Sequence, residues 1–82
     1  MSQKKKSKEE LFLKKLYELA KQSGDVENDV DRYAVGKLVG EHEKGADNTV
    51  QMLVKNGFLK RGEGSNVYLT ERGIHFVKEL EM

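Results

Sequence analysis

Apolar stripes at helical spacing run through this chain and end at glycines, at Gly24, Gly40 and Gly57, and two short β-prone runs further on enclose Gly62 and Gly64. Glycine adopts positive φ without steric cost, so it is the residue that most often stands just past a helix end. This punctuation predicts short amphipathic helices joined by tight turns, followed by one hairpin.

The first helix is expected over Lys8–Gln22. Ser7 with Glu10 three residues on forms a capping box, and Leu11, Phe12, Leu13, Leu16, Tyr17, Leu19 and Ala20 recur with the period of a helix. From Gly24 to Arg32 the acids Asp25, Glu27, Asp29 and Asp31 alternate with Val26, Asn28 and Val30, which suits a loop or a very short extended segment. Asp31 or Asp29 caps a second helix of about Arg32–Val39, with Val35, Leu38 and Val39 inward. After a tight connection through Glu41 and His42, Ala46, Val50, Leu53 and Val54 share the inner face of a third helix. Its opposite face carries Lys44, Asp47, Asn48, Gln51 and Lys55, with Met52 near the edge. Phe58–Arg61 and Val67–Thr70 form a hairpin across a five-residue turn. Thr70 caps a last helix, about Glu71–Leu80, with Ile74, Phe76, Val77 and Leu80 on its apolar side. The expected class is mainly α with a small β-hairpin, in the order α-α-α-β-β-α.

At 82 residues the chain has room for one core, so residues 7–82 are read as one domain behind a disordered basic arm, residues 1–6, carrying Lys4, Lys5 and Lys6. Charged residues interrupt every apolar stretch, which argues against a membrane span or a cleavable leader and makes the cytoplasm the expected compartment. The chain has no cysteine, which removes disulfides, thiolate metal sites and cysteine nucleophiles together. A net charge of +1 gives no global basic excess, so any affinity for nucleic acid has to be local.

Residues Val35 to Thr70, VGKLVGEHEKGADNTVQMLVKNGFLKRGEGSNVYLT, carry a resemblance. A second helix ending in an apolar residue and glycine (Val39, Gly40), a short turn, a third helix closing through Leu53 to Leu59, and Val67-Tyr68-Leu69-Thr70 before Glu71-Arg72-Gly73 recur in that order in one family. The stretch resembles the winged helix-turn-helix domains of bacterial and archaeal transcription regulators. The resemblance implies that the third helix is a recognition helix for the major groove and the hairpin a wing on the flanking backbone. Gly36 and Ala46 fall where the second and third helices cross, and Gly57 frees the chain to leave the third helix with positive φ. The turn departs from the family in holding Glu41 and His42 where an apolar residue and a Ser or Thr cap are common. Gly45 also falls in the first helical turn.

On this reading the partner is duplex DNA and the function transcriptional regulation without catalysis. Asn48 and Gln51 are the expected base readers, because an amide pairs bidentately with adenine, and Lys44, Lys55, Lys60, Arg61 and Asn66 the expected phosphate contacts. The acids Glu41, Glu43 and Asp47 outnumber Lys44 and Lys55 in the same segment, which weighs against tight DNA binding by a monomer. The near-neutral charge and the acidic Asp25 to Asp31 segment favour the rival expectation, a protein-docking winged helix that binds no DNA. A homodimer through the terminal helices would use Phe12, Leu19, Phe76 or Met82, against the alternative that these side chains fill the one core. No motif implies a cofactor. Asp25 to Asp31 start like a calcium loop, but Val30 and Gly36 stand where its glycine and bidentate glutamate belong. His42 and His75 have no partner at ligand spacing, and Gly62 with Gly64 precedes a strand where a phosphate loop precedes a helix.

Overall fold

A computed structural model of the chain describes residues 7–80. The elements are α1 (Lys8–Gln22), β1 (Val30–Asp31), α2 (Arg32–Leu38), α3 (Glu43–Lys55), β2 (Leu59–Arg61), β3 (Asn66–Leu69) and α4 (Glu71–Leu80). The basic arm at Lys4 to Lys6, and Met82, lie outside the described residues. The domain is mainly helical with a small antiparallel sheet, and its helices and hairpin follow the α-α-α-β-β-α order of a winged helix.

The caps place the elements. The Ser7 hydroxyl accepts the Glu10 N–H at 3.1 Å at the start of α1, and Asp31, not Asp29, caps α2 by accepting from the Tyr33 N–H at 3.1 Å. Thr70 opens α4: its hydroxyl accepts from the Gly73 N–H at 3.0 Å and donates to the Gly57 carbonyl at 2.7 Å, tying the end of α3 to the start of α4. Gly57 has φ +82°, the left-handed conformation that takes the chain from α3 into β2.

The short segment before α2 is a strand. β1 pairs antiparallel with β3, Val30 opposite Val67 and Asp31 opposite Asn66, so the sheet has three strands in the order β1-β3-β2. β2 pairs with β3 from Leu59–Leu69 to Arg61–Val67, and the connection between them is the four residues 62–65, one shorter than the sequence suggests.

One core fills the space between the helices and the inner face of the sheet. It takes Phe12, Leu13 and Leu16 from α1, Val35 from α2, Val50 and Leu53 from α3, Leu59, Val67 and Leu69 from the sheet and Val77 from α4. α2 and α3 cross closely because a Cβ added at Gly36 would stand 3.1 Å from the Ala46 Cβ, so only small side chains permit this approach. One inward assignment needs correction. Leu38, the last residue of α2, is 59% exposed, because it lies roughly 100° around the helix from the buried side centred between Val35 and Gly36. Phe12 is completely buried, and Leu19 and Phe76 pack partly buried against the core, with Phe76 stacked on Phe58 at 4.8 Å between ring centroids. Phe12 is therefore not available to a second copy. The exposed large apolar side chains among the described residues are instead Leu11, Leu38 and Met52.

Among the described residues no helix is long and apolar enough to cross a membrane, and no group of three or more His, Asp or Glu is placed to hold a metal ion. The alternating acids are dispersed among local donors. Asp25 accepts from the Glu27 N–H, Asp29 from the Asn66 amide, and Asp31 from Ser65 and the Tyr33 N–H.

Candidate nucleic-acid interface

At about 100° per residue, Lys44, Asn48, Gln51 and Lys55 fall within a sector of roughly 60° on α3 and extend over about 16 Å of helix. Ala46, Thr49, Val50 and Leu53 form the buried side, centred opposite that sector. All four stripe residues are exposed. The side chains of Asn48 and Gln51 make no hydrogen bond to the rest of the described residues. Each amide therefore keeps both its carbonyl oxygen and its NH₂ for an external partner. Met52, half exposed, flanks Asn48 at the margin of the same stripe. Asn48 and Met52 also border a shallow depression that reaches Lys8 and Glu9 of α1.

Two of the three acids counted against this helix are occupied inside the fold. Asp47 Oδ1 accepts from the Arg32 guanidinium at 3.2 Å and from the Tyr33 hydroxyl at 2.8 Å. Glu41 holds the hydroxyl of buried Thr49 through both carboxylate oxygens, at 3.2 and 3.1 Å. Glu43 stays exposed in the first turn of α3. The Arg32 cation offsets Asp47, so the charge presented by α3 is closer to balance than its own sequence implies. The tyrosine reports the contact: the hydrogen bond to Asp47, with desolvation behind it, raises the Tyr33 pKa above its ordinary value.

Arg32 also reaches the wing. Its backbone N–H donates to the Ser65 carbonyl at 3.0 Å and its Nε to the same oxygen at 3.1 Å. Beside it the Ser65 hydroxyl donates to Asp31 at 2.7 Å, and this bond, followed by the Tyr33 N–H, lowers the Asp31 pKa. The loop end of the wing is thus tied to β1, to the start of α2 and, through one guanidinium, to α3.

The structure divides the remaining residues of the expected site. Lys60 and Arg61 are both exposed, but adjacent strand residues point to opposite faces of a sheet. Lys60 lies opposite Tyr68 and borders a shallow depression with Glu27 and Glu71, on the outer side of the sheet. Arg61 continues the strand into the wing opposite Val67. Asn66 is half buried and its amide donates to Asp29 at 3.3 Å, so part of its bonding capacity is already used. Arg72 is held over the Phe58 ring at 5.3 Å.

Arg32, Tyr33, Thr49 and Ser65 were missing from the expected site. Arg32 and Tyr33 sit at the first helical positions after the Asp31 cap, and their importance depends on β1 lying beside β3. The cap was visible in the sequence, whereas the pairing was not. Compared with protein-family models, curated proteins and solved structures, the chain finds no match.

Proposed function

We propose that this domain binds duplex DNA as a transcriptional regulator, with α3 in the major groove and the β2–β3 wing against the flanking backbone. The observation that carries the reading is the Lys44–Asn48–Gln51–Lys55 stripe. It is exposed along its length and lies opposite the buried face of α3, and two of its three flanking acids, Asp47 and Glu41, are already engaged by Arg32, Tyr33 and Thr49. An α-helix fits the width of the major groove, and 16 Å of helix meets about five base pairs at 3.4 Å each. The stripe places a lysine at each end for phosphates and two free amides between them for bases. Arg61, carried by the wing that Arg32 holds to α3, supplies a further phosphate contact. Lys60 and Asn66 belong to the same proposed set, with Lys60 on the outer side of the sheet and Asn66 sharing its amide with Asp29.

The test is a fluorescence-anisotropy titration of a short labelled duplex over a salt series. About four phosphate contacts give a slope of log affinity against log salt of roughly −3 to −4, at roughly −0.9 per contact. Lys44→Ala and Arg61→Ala each make that slope shallower by about one contact. Absence of binding at low salt, or a slope unchanged in both variants, contradicts the proposal and leaves protein docking as the reading of this fold.

A further inference from the structure

Three exposed side chains on α3, Asn48, Gln51 and Met52, offer chemistry suited to one kind of base pair. Resting on the DNA-binding reading, we infer that the preferred target contains two adjoining A·T pairs, read by Asn48 and Gln51 and covered at a thymine methyl group by Met52.

The amides come first. Asn66 on β3 and Asp47 on α3 are engaged by Asp29 and by Arg32 with Tyr33, respectively. Asn48 and Gln51 are exposed and keep donor and acceptor free. An amide matches adenine in the major groove, where N6 donates and N7 accepts. Guanine offers two acceptors there, which suit arginine or lysine. No arginine lies on α3, and its lysines stand near the two ends of the stripe. The spacing fixes the register: residues three apart rise about 4.5 Å along the helix, close to the 3.4 Å of one base-pair step and well short of two. The two amides therefore address neighbouring pairs.

Met52 supplies the second, independent observation. It is 49% exposed on a helix whose other large apolar side chains are turned inward, and it stands one turn beyond Asn48. An apolar side chain on a recognition face has one apolar group to meet on base edges, the thymine C5 methyl, which is present only in A·T pairs. Burying an exposed thioether against a methyl group is favourable, whereas setting it against the amino group of cytosine is not.

The experiment is a selection of duplexes from a randomised pool at moderate salt, followed by affinity measurements on the winning sequence. Enrichment of two adjoining A·T pairs is expected, with Asn48→Ala and Gln51→Ala each relaxing the preference at one of them by about 10-fold. Replacing thymine by deoxyuracil in that sequence is expected to weaken binding of the wild type and to leave Met52→Ala unaffected. All three side chains are exposed, so these substitutions leave the core in place. A retained pool with the composition of the input overturns the A·T inference while leaving DNA binding standing, and enrichment of G·C pairs overturns it outright. Failure to retain any duplex overturns both readings.

Discussion

Arg32 and Asp47 form the contact that joins the wing to the helix proposed to read DNA: the guanidinium reaches Asp47 Oδ1 at 3.2 Å while its Nε holds the Ser65 carbonyl at 3.1 Å. The arginine side chain is 11% exposed and the aspartate 47%, so solvent screens one end of the pair. The ion pair is expected to contribute about 0.5–1 kcal/mol, at the upper end of exposed pairs. Arg32→Ala is expected to cost more, about 1–2 kcal/mol, because it also strips the Ser65 carbonyl of a donor. Denaturant unfolding of Arg32→Ala, Asp47→Ala and the double variant checks this. A coupling energy near zero would mean that the two residues act independently.

Two glycines are expected to respond to alanine with opposite signs. A Cβ at Gly73 would overlap the Phe58 carbonyl oxygen and crowd the Leu69 side chain, so Gly73→Ala is expected to destabilise the domain by about 1–3 kcal/mol. At Gly45, inside α3, the added Cβ meets only the Glu41 side chain, at an ordinary 3.6 Å. Gly45→Ala is expected to stabilise by up to about 1 kcal/mol, since alanine costs a helix less than glycine. Thermal unfolding of the pair decides. Equal shifts in the same direction would contradict the packing described for α4 against Phe58.

Tyr33 is expected to ionise above the ordinary tyrosine value. Its hydroxyl donates to Asp47, and the protonated form is favoured in the fold. The contribution to stability is therefore complete below the ordinary value of 10.0 and is lost as pH rises through the raised value. Absorbance titration of the chain's three tyrosines should show a late component that Tyr33→Phe removes and Asp47→Asn brings forward. A late component that survives Tyr33→Phe assigns the effect to another residue.

Asp31 is expected to behave in the reverse sense. Ser65 and the Tyr33 N–H favour its ionised form, so its contribution is present above the ordinary value of 3.8 and disappears as pH falls through the lowered one. Ser65→Ala removes the larger cause. The stability difference between this variant and the wild type is expected to shrink as the pH drops below 3.8, and a difference independent of pH would contradict the assignment.

The helices were legible because each carries its own signals. The bounds of α1 and α4 follow from Ser7, Thr70 and the apolar period, and the Gly36–Ala46 crossing from residue size alone. β1 was not legible as a paired strand, since two residues carry no periodicity and its pairing with β3 is a contact between residues more than 30 apart. That missed strand explains the missed site residues: Arg32 matters because β1 brings it to Ser65. Leu38 was placed inward with Val35 because it falls at helical spacing from it, but the buried side of α2 is centred between Val35 and Gly36, roughly 100° around the helix from Leu38. For the stripe on α3, spacing was enough to group Lys44, Asn48, Gln51 and Lys55 on one face. The count of acids misled because Asp47 and Glu41 find their partners through tertiary contacts that the order of residues does not display.

DNA binding through α3 is tested most directly by two-dimensional amide NMR of the labelled protein titrated with a short duplex at low and then moderate salt. The account predicts shifts concentrated on Lys44 to Lys55 and on Arg61 to Asn66, weakening as salt is raised. No shifts at low salt, or shifts confined to the basic segment Lys4 to Lys8, would contradict it.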